Sequence, residues 1–95
     1  MPKLVVHDLD RTWLMDLEGD ETVVVGRSAR CDIPIQASRA SRRHCRIGPS
    51  PHGHAVEDLG STNGTTVNGA PFPAAHALVD GDVIEAGGCR IVYRR

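Results

Sequence analysis

Three short stretches hold the residue types that can grip a phosphate group: Gly26-Arg27, Ser41-Arg42-Arg43-His44, and Gly60-Ser61-Thr62-Asn63-Gly64-Thr65. They offer guanidinium groups of fixed charge, hydroxyls and a carboxamide, the donors that hold a phosphate dianion by charge-assisted hydrogen bonds. The third stretch also contains the first of two Asn-Gly pairs, Asn63-Gly64 and Asn68-Gly69. The second pair fits a tight hairpin, because a type I′ turn needs positive φ at both central residues. The first lies among small hydroxyl-bearing residues that let backbone and donors come close to a ligand.

The charge pattern agrees with an anionic ligand. The formal net charge of the 95 residues is only −1, yet between Arg27 and Arg46 six arginines (27, 30, 39, 42, 43 and 46) face a single acid, Asp32. From Ile47 to Gly88 there are five acids and neither Lys nor Arg. A field segregated in this way draws an anion to one end of a domain.

Other chemistries fit the same residues less well. Ser41 and His44, with Asp58 as orienter, could form a nucleophile and its base. They stand three residues apart across a loop-to-strand junction, without a G-x-S-x-G elbow or an evident oxyanion hole, so no catalytic residue is assigned. A nucleic-acid phosphate binder would need interleaved aromatics and a pI near 9, whereas the aromatic content is 3% and the pI about 6.5. His52 and His54 lack a third metal ligand and read as a solvated turn, and no cofactor motif is present. His7 and His76 are isolated. Cys31, Cys45 and Cys89 form no C-x-x-C pair, and each lies in or beside an apolar run, where a free thiol packs as a small hydrophobe.

The elements that must position these residues are strands. Ten glycines and six prolines interrupt the chain, and no window sustains a helical apolar period. Strands are predicted over 3–7, 12–17, 22–26, 32–35, 44–47, 54–58, 65–67, 70–72, 83–86 and 89–93, separated by turn-forming runs such as 48–53 and 60–64. Many short strands at this spacing predict an all-β sandwich or barrel. The length predicts one domain over residues 1–95 with no linker. Trp13 reads either as a packing residue on a sheet face or as a binding platform. No apolar run is long enough to span a membrane and the N-terminus meets acids too early for a secretory signal, so a soluble, cytoplasmic chain is expected.

In order along the chain, "VVVGRSARCDIPI", "ASRRHCRI", "VEDLGSTNGTTVNG" and "LVDGDVIEAGG" resemble the blocks of a forkhead-associated (FHA) domain, the phosphothreonine-binding β-sandwich of signalling proteins. The resemblance implies a two-sheet sandwich of about eleven strands, binding loops at one apex, and no catalysis. It implies that Arg27 and Ser41 hold the phosphate, that Arg42 and Thr62 add contacts to it, and that Asn63 grips the peptide backbone. Gly26, His44 and Gly64 would support the site, and Arg39 and Asn68 would read flanking residues. The implied partner is a phosphothreonine-containing protein or peptide, the product of a Ser/Thr kinase, with no nucleic acid, membrane, metal or cofactor. Family members that dock partners without phosphate lose the site arginine or serine; this chain has both. The sequence is compatible with a free-standing adaptor and with the sensor of a larger regulatory protein.

Overall fold

A pleated strand turns successive side chains to opposite faces, so an alternating sequence buries one set and leaves the other outside. In Lys3–Asp8 the buried set is Leu4, Val6 and Asp8, while Lys3, Val5 and His7 lie partly exposed between them. The computed structural model describes residues 2–95. It contains eleven strands: β1 (Lys3–Asp8), β2 (Arg11–Asp16), β3 (Val23–Gly26), β4 (Ile33–Pro34), β5 (Cys45–Ser50), β6 (Gly53–Asp58), β7 (Thr65–Val67), β8 (Ala70–Pro71), β9 (Ala75–Ala77), β10 (Val83–Ala86) and β11 (Cys89–Arg94).

The strands form two sheets, in the orders β2-β1-β11-β10-β7-β8 and β4-β3-β5-β6-β9. All described pairs are antiparallel except β3 with β4. Leu4, Val6, Ile84, Ile91 and Tyr93 of the first sheet share a core with Val25, Ile33, Cys45, Ile47 and Val56 of the second. Each of these side chains is fully withdrawn from water. Burial of one large aliphatic side chain contributes about 1.5–3 kcal/mol, which lets an aromatic-poor sequence still close a sandwich. Among the described residues no helix is long and apolar enough to cross a membrane.

The fold is therefore the expected two-sheet sandwich, and the ten predicted strands are present with ends displaced by at most three residues. The largest displacement is in β5. Gly48, Pro49 and Ser50, expected in a turn, pair with Ala55, His54 and Gly53 and leave only Pro51 and His52 to reverse the chain. The strand missed by pattern is β9, whose Ala-His-Ala sequence follows two prolines and carries no β-branched residue; it forms because β6 offers a free edge to pair with.

Three residues differ from expectation. His54 is not in a solvated turn: it is buried, its Nδ1 lies 2.9 Å from the Tyr93 hydroxyl, and the two rings meet edge to face. Cys31 is not a core thiol like Cys45 and Cys89; it is half-exposed and donates to the Arg42 carbonyl over 3.1 Å. His76 is not isolated, since its Nε2 lies 3.4 Å from a carboxylate oxygen of Asp82. Trp13 does pack against the core, with the Arg11 guanidinium 4.9 Å from its ring centre.

Candidate functional site

The loops after β3, β4 and β6 meet at one pole of the sandwich, and backbone hydrogen bonds zip the first two together. Arg27 N–H donates to the Ser41 carbonyl at 3.0 Å, Ser28 N–H to the Arg42 carbonyl at 3.1 Å, and His44 N–H to the Val25 carbonyl at 2.8 Å. The approach demands a glycine between them: a Cβ built on the buried Gly26 would sit 2.0 Å from the Arg42 carbonyl oxygen. Any side chain there would force the two loops apart.

His44 ties the third loop to this pair. Fully buried, it accepts the Ser41 N–H at Nδ1 over 3.0 Å and donates from Nε2 to the Gly64 carbonyl over 2.8 Å. These partners set the neutral Nε2–H tautomer, since a backbone N–H requires an acceptor at Nδ1. Gly64 presents its carbonyl from a backbone with φ of 79°, a conformation that disfavours a side chain. Two further bonds close the pole: Thr62 N–H donates to Ser41 Oγ at 3.0 Å, and Asn63 Nδ2 to the Arg39 carbonyl at 2.8 Å.

Arg27, Arg42 and Ser28 line a shallow cavity of about 400 Å³ at this pole. Ser41, joined through its carbonyl to the Arg27 N–H, has a hydroxyl that accepts from Thr62 and keeps its own proton to donate. Thr62 has spent its N–H on Ser41, so its hydroxyl is the donor it can still offer a ligand. Asn63 has spent one amide N–H on Arg39, leaving its second N–H and its oxygen. Asn68 lies at the far end of β7 from Asn63 and turns its amide inward, donating to Asp82 at 2.9 Å and accepting from Val83 N–H at 3.0 Å. With φ of 53° it shapes the hairpin before β8, and both ends of its amide face β10 rather than the loop pole.

Two acids absent from the sequence-level site hold these loops. Asp58, at the end of β6, accepts from Gly60 N–H and Ser61 N–H at 3.0 Å each, from Thr65 Oγ at 2.7 Å, and from the Ser61 hydroxyl. Burial alone would raise its pKa, but the hydroxyls of Ser61 and Thr65 and the two N–H groups hold it below the ordinary 3.8. Asp8, buried at the end of β1, reaches across to accept from Gln36 N–H at 2.7 Å and Ala37 N–H at 3.0 Å, anchoring the segment that leads to Arg39 and Ser41. The signal for Asp58 was the Asp-x-x-Ser spacing of an Asx turn. Asp8 gave none, because its partners lie 28 and 29 residues away.

The arrangement does not make a nucleophile–base pair. Both His44 nitrogens are engaged with backbone groups, neither with the Ser41 hydroxyl, and Asp58 is turned to Ser61 and Thr65. What it does make is a pole of convergent donors and unpaired charge. Of the six arginines between 27 and 46, only Arg46 has a carboxylate at ion-pair distance among the described residues: Glu57, at 2.7 Å.

An all-β sandwich whose apical loops are laced together around arginines with no carboxylate at ion-pair distance among the described residues defines a class of scaffold, and comparison with known proteins gives that class its name. Residues 23–87 match the FHA domain, and the chain belongs to that family. It is 44% identical over 71 residues to the ABC transporter ATP-binding/permease protein Rv1747 of Mycobacterium tuberculosis, and 39% identical over 71 residues to the FHA domain-containing protein FhaA of that organism. Each alignment covers 75% of this chain but only 8% and 13% of the relative, so the chain spans a small part of these proteins. Among solved structures, the FhaA FHA domain complexed with the intracellular domain of Rv3910 superposes with a TM-score of 0.82 at 34% identity, covering 99% of this chain and 100% of that one. The FHA domain of CT664 from Chlamydia trachomatis superposes with a TM-score of 0.90 at 25% identity, covering 99% and 96%. A structure from a study of phosphothreonine-dependent FHA domain interactions has a TM-score of 0.82 and 34% identity, covering 99% of this chain and 95% of that one.

Proposed function

We propose that this chain is a phosphothreonine-recognition module, non-catalytic, that docks proteins phosphorylated by a Ser/Thr kinase. Arg27 and Arg42 supply the attraction, Ser41 and Thr62 donate hydroxyl hydrogen bonds, and Asn63 holds the peptide backbone through the amide atoms that Arg39 leaves free. Gly26, His44 and Gly64 keep the loops in place. Arg39, exposed beside Asn63, reads the residues that follow the phosphothreonine. Asn68 acts through the hairpin and not as a contact.

The observation that carries this reading is the cavity lined by Arg27 and Arg42, neither of which has a carboxylate at ion-pair distance among the described residues, in loops that the Arg27 N–H joins to the Ser41 carbonyl. A phosphothreonine bears about −1.5 to −2 charge at pH 7, which two guanidinium groups match. Because the charge comes with directed donors, the ligand is a phosphorylated side chain and not a generic polyanion such as DNA. A cytoplasmic setting, shared with ATP-dependent kinases, follows from the ligand. The relationship to FhaA and to a phosphothreonine-dependent FHA structure supports the same ligand class.

The test is calorimetric titration of phosphothreonine and unphosphorylated peptides against the native chain and Arg27→Ala. Expected is binding of the phosphorylated peptide alone, reduced at least 100-fold by Arg27→Ala with the circular dichroism spectrum unchanged. Equal binding of both peptides, or an affinity indifferent to Arg27→Ala, would instead favour phosphate-independent docking.

A further inference from the structure

A single phosphate group does not account for all the unpaired charge at the loop pole. Arg30 and Arg43, like Arg27 and Arg42, have no carboxylate at ion-pair distance among the described residues. They line a second cavity of about 300 Å³ together with Ser28, Cys31 and Asp32. Ser28 belongs to both cavities. The adjoining cavity thus supplies a second pair of guanidiniums, with the one Ser28 hydroxyl on the wall between the two.

The wall is built by the backbone and does not depend on chance side-chain placement. The Arg42 carbonyl is held by Ser28 N–H at 3.1 Å and by Cys31 Sγ at 3.1 Å, so the chain runs between the cavities at this residue. Arg42 consequently faces one cavity and its neighbour Arg43 the other. Ser28 Oγ accepts Arg30 N–H at 3.1 Å, which fixes the hydroxyl oxygen and leaves its proton to donate. Asp32 is the opposing charge. One of its oxygens is occupied by Val24 N–H at 2.9 Å, and two arginines outnumber it, so the cavity keeps a positive balance.

We propose that this cavity is a second anion subsite, and that the ligand is a doubly phosphorylated segment whose second phosphate is held by Arg30, Arg43 and Ser28 beside the phosphothreonine. The proposal rests on the phosphothreonine reading of the first cavity. A phosphate suits the second one better than a carboxylate because its three oxygens can take two forked guanidiniums and a hydroxyl together.

The experiment measures the affinities of one peptide sequence in three forms: phosphothreonine alone, phosphothreonine with a second phosphoresidue at each of the four positions on either side, and phosphothreonine with glutamate at those positions. Each is titrated against the native chain and Arg30→Ala/Arg43→Ala. Both arginines are exposed, so the double variant keeps its fold. Expected is a gain of about tenfold for the second phosphate at one spacing, a smaller gain for glutamate, and loss of the phosphate gain in the double variant, where the singly phosphorylated peptide weakens only by the slower association that two fewer charges give, with its dissociation rate unchanged. No gain at any spacing, or a gain that survives the double variant, overturns the second subsite while leaving the first intact. Binding of neither phosphorylated form overturns both readings.

Discussion

His44 is the residue on which the geometry of the pole turns, because one buried ring satisfies a backbone donor of one loop and a backbone acceptor of another. His44→Ala would leave the Ser41 N–H and the Gly64 carbonyl without partners in a buried setting, at about 1–3 kcal/mol for each group. A fall in stability of about 2–4 kcal/mol is expected by urea denaturation, with at least tenfold weaker phosphopeptide binding. His44→Gln, which keeps a donor and an acceptor, should lose less of both. Asp58 acts on the third loop in the same manner but through a charge. Its hydrogen bonds keep the folded carboxyl below 3.8, so its contribution to stability is complete above that value and disappears as pH falls below 3.8 through the folded pKa. Asp82 follows the same course: burial acts to raise it, but Val79 N–H, the Asn68 amide and His76 together hold it below 3.8. Stability should therefore decline steeply below about pH 4, and Asp58→Asn should flatten part of that slope while lowering stability at pH 7. A denaturation midpoint whose acid slope is the same in Asp58→Asn would show that the carboxylate does not organise the loop. The alternative effect of acid, on the ligand, is separable: the second phosphate pKa lies near 6, so affinity weakens between pH 7.5 and 5.5, where the Asp58 contribution is complete.

At the scale of elements, the recognition loop between β4 and β5 is held on two sides by glycines that no side chain could replace. Gly26 lies under Arg42, and Gly87, in the turn between β10 and β11, lies against the backbone of Arg39 and Ala40. A Cβ on Gly87 would fall 2.2 Å from Ala40 N, and its φ of 62° disfavours a side chain on its own account. Gly87→Ala should cost about 1–3 kcal/mol and push the loop that carries Arg39 and Ser41 outward, weakening phosphopeptide binding about tenfold, the size of one charge-assisted hydrogen bond. Native affinity in a stably folded Gly87→Ala variant would mean that the turn does not position the loop. The sequence made Gly26 legible, since it precedes an arginine at a strand end. It was silent on Gly87, which reads as an ordinary "AGG" turn until the first sheet brings it against a loop nearly 50 residues earlier. The same distinction explains the strands. β1, β3 and β11 announce themselves by their own β-branched apolar runs, whereas β9 and the end of β5 exist because a neighbouring edge pairs with them.

Across the whole molecule, five arginines (27, 30, 39, 42 and 43) in the loops of one pole have no carboxylate at ion-pair distance among the described residues, while four of the five acids of the later half are engaged elsewhere: Asp58, Asp80 and Asp82 in hydrogen bonds, Glu57 with Arg46. The segregation was readable in the sequence because the arginines are close together in the chain. That Arg46 is neutralised was not, because it depends on the cross-strand register that sets it opposite Glu57 in β5 and β6. This difference within one basic segment makes a prediction about the field as a whole. Unpaired surface charge steers an anionic peptide toward the pole and is screened over roughly 8–10 Å at physiological salt. Raising salt from about 0.05 to 0.5 M should therefore slow association of a phosphothreonine peptide about tenfold or more, with a smaller change in dissociation. Arg39→Ala, which removes a free charge, should lower the association rate and flatten its dependence on salt. Arg46→Ala/Glu57→Ala removes a matched pair, leaves the net charge unchanged, and should change the slope little. Stopped-flow measurements on the native chain and these two variants would distinguish a focused field from a mere excess of basic residues: equal flattening by Arg39→Ala and Arg46→Ala/Glu57→Ala would mean that the pairing of Arg46 with Glu57 has no bearing on how the ligand arrives.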